Sequence, residues 1–215
     1  MAKKLTDEAF ELGSAGLKGS AGLKTGELLA AARQVFGERG FSGARIADDN
    51  YCWPVPMDEL FVTLWKDHQA AHAAAASTAV AHARQSGVTD AGKLFEIGGR
   101  AFLAGSWHRR DLALLFASGD APHGFASMRQ HGRLVWLRRN ATLLRLSDDP
   151  EDRLYTATLT SLIGRGAREV ATAPDFRQAQ TLIDAVIGYA ALLVADRPRP
   201  VQRYAGLRAV PRLGC

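Results

Sequence analysis

The chain has 215 residues, 47% of them apolar, and carries a formal net charge of +5. This length and apolar content indicate a globular protein with a substantial core and exclude a disordered chain. Alanine, leucine and arginine are frequent while runs of β-branched residues are short, so we predict an all-helical protein. Because Asp184 interrupts the longest apolar run, 181–195, we expect no membrane-spanning segment, which needs roughly 18 residues.

The first residues and the cysteine content indicate a cytoplasmic protein. Residues 1–8 lack the apolar core of a secretory signal. Cys52 and Cys215 are too few for a disulfide framework, which fits a reducing compartment.

The two ends of the chain are predicted to be flexible. The hexapeptide Gly-Ser-Ala-Gly-Leu-Lys occurs at 13–18 and again at 19–24, and such a segment cannot build a core, so 1–24 is a predicted arm. Residues 196–215 contain five arginines against a single aspartate, with three prolines, which predicts a basic flexible tail.

The first predicted helix begins at Thr25, with apolar residues at 28, 29, 32, 35 and 36 on one face. Gly40 is a candidate stop because glycine tolerates the left-handed backbone that ends helices. Ser42 is then a candidate cap for a short second helix over 43–48. Two packed helices of no special function would give the same pattern.

The order of these residues is similar to the amino-terminal domain of TetR-type transcriptional regulators. The resemblance lies in Leu28-Leu29-Ala30-Ala31-Ala32, Val35-Phe36, Glu38-Arg39-Gly40-Phe41, Ile46-Ala47-Asp48, Tyr51 and Met57-Asp58-Glu59-Leu60-Phe61. It implies an all-helical homodimer in which a helix-turn-helix head, here 25–66, binds operator DNA. A larger helical body, here 67–195, is then expected to bind a small-molecule effector.

The helix-turn-helix of this head is incomplete. The family places a turn and a recognition helix after the second helix, but here only eight residues separate Asp48 from Met57, and two of them are prolines. The resemblance leaves Arg45, Tyr51 and Trp53 as candidate DNA contacts. An intact mass above 23.2 kDa would instead indicate additional residues between Asp48 and Asn50, and hence a complete head.

The charge of the head also disfavours DNA binding. Residues 25–68 contain four lysines and arginines against seven carboxylates, a balance of −3. Duplex binding depends on neutralising phosphates with cationic side chains.

The body is predicted to consist of helices over 58–84, 91–109, 111–118, 125–146, about 147–172 and 175–194. The resemblance implies that the early helices of this series surround an effector. Its candidate contacts are the aromatic, histidine and methionine side chains of Trp65, His68, His72, Phe102, Trp107, Phe116, Phe125, Met128 and Trp136. Each of these residues would serve equally well as ordinary core.

Two features of the body bear on ligands. His68 and His72 are four residues apart, a spacing that suits half of a metal site, but no companion ligand follows, so we expect no metal and no cofactor.

Seven arginines between 109 and 145 face only two aspartates, a local balance of +5 that suits either an anionic ligand or a solvated face.

The last two helices, 153–172 and 175–194, are the predicted homodimer interface. Their broad apolar stripe can cover the body and still meet a partner, and the family pairs through these helices. A monomer that buries both helices internally is the alternative.

The sequence contains no catalytic constellation: it has no GxSxG elbow, no phosphate-binding glycine loop and no metal-binding array, so we do not expect an enzyme. The first functional hypothesis is a ligand-responsive regulator of the TetR type. The second is a small-molecule-binding or dimerisation module on the same scaffold that no longer binds operator DNA.

Overall fold

The structure, a computed structural model, describes residues 25–46 and 55–197. Within these ranges the chain forms helices and no strand, which confirms the all-helical prediction. The helices are α1 (Thr25–Ile46), α2 (Met57–Gln85), α3 (Ala91–His108), α4 (Arg110–Ala117), α5 (Phe125–Leu144), α6 (Pro150–Thr172) and α7 (Phe176–Ala195). The predicted arm, the tail beyond residue 197, and Tyr51 and Trp53 lie outside the described residues.

α1 consists of two helical stretches that meet at Gly40. This glycine has a φ of 69° and a ψ of −179°, so it ends the first stretch, as predicted. The helix resumes directly afterwards, which places Ser42 inside it and not before it. The amide and the hydroxyl of Ser42 both donate to the carboxylate of Asp120, in the loop between α4 and α5. The second stretch is therefore capped by a residue 78 positions away.

A cluster of aromatic side chains joins α1 and α2 to α4 and α5. The Phe61 ring lies 5.6 Å from that of Phe36, 5.2 Å from Phe116 and 5.0 Å from Phe125, centroid to centroid, each in an edge-to-face arrangement. Arg33 of α1 and Asp111 of α4 form a bidentate ion pair beside it. Residues from both sides of the predicted boundary at 66 thus build one core.

α3 is the central helix of the body and packs against α2, α4, α5, α6 and α7. Gly99 makes this close packing possible, because a methyl group there would lie 3.1 Å from Cδ1 of Ile163 and 3.2 Å from Cδ1 of Ile187. Leu103, fully buried one turn later, belongs to the same core as Leu159 of α6 and Ile183 of α7.

α6 and α7 begin with aspartate caps and lie close together. Asp149 accepts from the amide of Asp152, and Asp175 accepts from the amide of Gln178. Gly166 of α6 faces Val186 of α7, and a methyl group added to it would lie 2.7 Å from Cγ2 of that valine. Gly166 therefore serves the contact between the two helices of one chain.

α5 ends two residues earlier than its apolar pattern suggested. Arg145 adopts a left-handed backbone, with φ 57° and ψ 41°, and its amide and that of Leu146 close the last turn. The chain reverses direction here, so α6 runs back along α5.

α7 is long and apolar enough to cross a membrane, with a mean hydropathy of 1.4 over its most apolar window. This mean hydropathy is high although the window contains Asp184. A core helix passes the same test, and α7 buries Ala179, Ile183, Ile187 and Ala190 within the body. Only 28% of that window is buried, so these contacts place one face of α7 in the body and leave the other face exposed.

Candidate ligand-binding site

A cavity of about 910 Å³ opens between α2, α3, α5 and α6. Its size lies in the range of small-molecule sites, which span roughly 300–1,000 Å³. Helix α5 forms one wall, and of its residues only Phe125 and Leu144, at its two ends, are fully buried. The middle of α5 therefore lines a space and does not close a core.

The inner side of the cavity is apolar and aromatic. Val80, Phe95 and Ile163 present buried side chains from α2, α3 and α6. Phe102 of α3 and Trp136 of α5 also line the cavity and contact each other edge to face, with 4.9 Å between ring centroids. An apolar group placed here would replace water against hydrophobic side chains, which favours binding.

The outer side of the cavity is cationic. Seven arginines contribute to the lining, and no carboxylate does: Arg84, Arg129, Arg133, Arg138, Arg139, Arg165 and Arg168. Within the described part of the chain, only Arg165 has a carboxylate partner, Glu169, at 3.0 Å. The other six guanidinium groups have no carboxylate partner among the residues that the structure describes.

α5 is tied to both walls of the cavity by side-chain hydrogen bonds. On the α2 side, the Trp136 indole donates to Gln69 at 3.0 Å and Arg139 donates to the Ser77 hydroxyl at 2.8 Å. On the α6 side, Arg133 donates to the hydroxyl of Ser161 at 3.0 Å. The arginine bonds go to neutral oxygens, which bind a guanidinium less strongly than an anionic oxygen does.

A smaller cavity of about 250 Å³ adjoins the large one. Both are lined by Trp65, Phe102, Arg129 and Arg168, among others, so these side chains stand at their junction. The smaller cavity differs in having two histidine side chains, His68 and His72, in its wall.

His72 and Ser106 form a buried hydrogen-bonded pair in this smaller cavity. Nδ1 of His72 lies 2.8 Å from the carbonyl oxygen of His68, and a carbonyl only accepts, so Nδ1 carries the proton. Nε2 then faces the Ser106 hydroxyl at 3.1 Å, and the single proton of this hydroxyl can be donated either to Nε2 or to the carbonyl oxygen of Phe102, also at 3.1 Å. Burial lowers the pKa of His72, which favours this neutral form.

His68 is buried without a hydrogen-bond partner for its Nδ1 atom within the described structure. Burial, together with the proximity of His72 and Arg109, lowers the pKa of His68 to about 3. The ring is therefore neutral at physiological pH. Among the described residues, no group of three or more His, Cys, Asp or Glu side chains is arranged to hold a metal.

Trp65 connects the cavities to the head. Its ring lies 5.1 Å from Phe116 and 5.2 Å from Phe125, both members of the aromatic cluster that holds α1 and α2 together. The same side chain lines both cavities. A ligand that displaces Trp65 would therefore also change the packing of Phe116 and Phe125 against α1 and α2.

No protein-family model, no curated protein and no solved structure matches this chain.

The structure brings together some of the candidate effector contacts and separates others. Trp65, Phe102 and Trp136 line the large cavity. The smaller cavity adds three more candidates, His68, His72 and Phe116.

The remaining candidates line neither cavity. Phe125 and Met128 belong to the aromatic cluster of the head. Trp107 packs on the core of the body, where the Arg110 guanidinium lies 4.6 Å from its ring centroid. Of the candidate DNA contacts, Arg45 falls within α1, but its side chain lies outside the described part, as do Tyr51 and Trp53.

The polar rim of the cavity was only partly visible in the sequence. The arginines of α5 stood out as a basic region, but Arg84 of α2 and Arg165 and Arg168 of α6 did not. A signal existed on α6: Ser161, Gly164, Arg165 and Arg168 recur at helical spacing, opposite an apolar stripe that packs in the core.

Proposed function

We propose that this chain is a ligand-responsive transcriptional regulator of the TetR type that binds its effector between α2, α3, α5 and α6. The observation that carries the proposal is the cavity of about 910 Å³, apolar inside and polar at its rim, within an all-helical body. This arrangement matches the general form of small-molecule sites. The proposal places the protein in the cytoplasm and assigns it no catalytic step.

The connection between the cavity and the head supports a regulatory role. Helix α2 carries Leu60 and Leu64 in the core of the head, and further along it Gln69 and Ser77 at the cavity. A ligand that favours one position of α2 changes the population of head positions by its differential affinity for the two states. DNA affinity then depends on effector concentration.

A homodimer through α6 and α7 is part of the proposal. Five large apolar side chains are exposed on or beside these helices: Leu154, Phe176, Tyr189, Leu192 and Leu193. Leu192 and Leu193 lie three and four residues after Tyr189, which places both next to it on one helix face. An exposed apolar face of this kind is typical of a protein–protein contact.

The regulator is tested by electrophoretic mobility shifts of the full chain with fragmented genomic DNA from its source, at moderate salt. We expect selective retention of a small set of fragments, and release of those fragments when the effector is added. Retention that ignores sequence and disappears as salt rises would contradict operator binding.

A second candidate, a ligand-binding module that does not bind operators, is favoured by the charge of the head. Residues 25–68 carry a balance of −3, which repels the phosphate backbone. This candidate predicts the same cavity and the same dimer but no sequence-selective DNA retention. Calorimetric binding of a small molecule by a chain that retains no fragment selectively would favour the module over the regulator.

A further inference from the structure

We infer that the ligand of the large cavity is an organic anion with a bulky apolar body, and that Arg129 and Arg168 bind its anionic group. This inference rests on the proposed effector site and adds the chemical class of the effector. It requires only that the cavity binds a small molecule, and holds whether or not the head binds DNA.

The first support is the imbalance of charge around the cavity. Seven arginines and no carboxylate contribute to its lining. Closing such a site over a neutral ligand would bring guanidinium groups together without compensation, whereas an anion compensates them. A cationic ligand of equal shape would be repelled.

The second support is the position of Arg129 and Arg168. The hydrogen bonds from Arg133 to Ser161 and from Asn140 to Thr160 show that α5 and α6 lie side by side along the cavity. Arg129 of α5 and Arg168 of α6 come together where the large and the small cavity meet. Both side chains line the large and the small cavity, and neither has a carboxylate partner in the described structure.

Their existing contacts are weak. Among the residues that the structure describes, Arg129 donates to the carbonyl oxygen of Phe116 alone, at 3.5 Å, the long limit of a hydrogen bond. A carboxylate, sulfonate or phosphate offers both arginines charge-assisted hydrogen bonds, which are about twice as strong as neutral ones.

The third support is the surface beside the two arginines. Phe102, Trp136 and Ile163 give the lining aromatic and aliphatic surface, so an apolar body attached to the anionic group has a place to lie. The ligand is therefore amphipathic.

The test measures affinity by titration calorimetry for two matched series of probes. One series is decanoate, decan-1-ol and decylamine, and the other is 2-naphthylacetate, 2-naphthaleneethanol and 2-naphthylethylamine. We expect the anion of at least one series to bind about tenfold or more tightly than its neutral analogue, with the amine weaker still. The affinity of the anion should fall as ionic strength rises, because the guanidinium groups are exposed to solvent.

Variants then locate the anionic group. R129Q and R168Q should each weaken the anion by about tenfold or more while leaving the neutral analogue within about twofold. R39Q is the matched control, since Arg39 is an exposed arginine of α1 that lines neither cavity. An unchanged melting temperature of each variant excludes misfolding as the cause.

The outcomes separate this inference from the proposed function. Equal affinity for anion, alcohol and amine, or no binding in either series, overturns the anionic class, while selective DNA retention would still support the regulator. Anion binding that survives R129Q and R168Q overturns the assignment of these two arginines. Selective anion binding without any selective DNA retention supports the inference and removes the regulator.

Discussion

His68 is buried, 6% exposed, and its ring packs beside those of Trp65 and Phe116. A charged imidazole at this position would lose its hydration and lie near the cationic Arg109, and the attraction of Asp111 does not offset these effects. The folded chain therefore holds His68 neutral down to a pH of about 3.

This depressed pKa predicts a loss of stability in mild acid. The unfolded chain protonates His68 near the ordinary value of about 6.5, whereas the folded chain resists until about 3, so stability falls as pH drops through this interval. We expect His68→Leu, which removes the titrating group but keeps an apolar side chain, to flatten the decline. Urea unfolding at several pH values between 7 and 4 measures it.

The control for this experiment is His108→Gln, an exposed histidine at the end of α3. Its slope of stability against pH is the reference with which the slope of His68→Leu is compared. A His68→Leu variant that loses stability with acid as steeply as the parent chain would show that His68 is not the group responsible.

At the scale of whole elements, α6 and α7 approach each other closely because Gly166 has no side chain. A methyl group there would lie 2.7 Å and 2.8 Å from the two methyl carbons of Val186, closer than packed carbon atoms come. Gly164, two residues earlier, has nothing within 4 Å of the same position. Two glycines of one helix thus stand in opposite environments.

We expect Gly166→Ala to destabilise the fold and Gly164→Ala to stabilise it. Overpacking costs about 1–3 kcal/mol, which exceeds the roughly 1 kcal/mol that alanine gains over glycine in a helix. Gly164→Ala gains the helix propensity of alanine, and its added methyl group overlaps no neighbouring atom. Denaturant unfolding of both gives the comparison, and a Gly166→Ala chain at least as stable as the parent would mean that α6 and α7 can separate freely.

The helices themselves were largely predictable, because each is bounded by local chemistry. Asp149 and Asp175 cap α6 and α7, and Gly40 interrupts α1, all of which are signals contained in a few neighbouring residues. The end of α5 was not, since an arginine in the left-handed conformation gives no such signal. Ser42 was misplaced because its partner, Asp120, is distant in sequence.

For the whole molecule, the exposed apolar side chains of α6 and α7 form the surface that a second copy would cover. Leu192 is 68% exposed and Tyr189 is 60% exposed, both on the outer face of α7. Burying such side chains contributes about 1.5–3 kcal/mol each.

We expect Leu192→Asp to convert a dimer into a monomer, because a carboxylate placed in an apolar interface would lose its hydration. Light scattering after size-exclusion chromatography measures the molar mass directly. Leu134→Asp, an equally apolar position 45% exposed on α5, is the control and should remain dimeric. A parent chain that already elutes as a monomer would contradict the proposed pairing.

The candidate site was less accessible from sequence than the fold. Aromatic residues at helical spacing are equally suited to a core or to a cavity, and only the packing separates Trp136, which lines the cavity, from Trp107, which does not. The rim depends on three helices whose arginines come together only in the folded chain, as Arg84 and Arg168 do.

Trp65 both lines the cavity and packs against the aromatic core, and this restricts how the fold can evolve to bind different ligands. A substitution there alters the chamber and loosens the aromatic core beneath α1 at once, so few replacements would be tolerated. On α5 and α6, the exposed positions that border the cavity, such as Arg133, Arg139, Ser161 and Arg165, belong to neither core. Divergence toward other small molecules should therefore accumulate at these positions, while the cavity wall formed by α2 stays nearly constant among descendants of this chain.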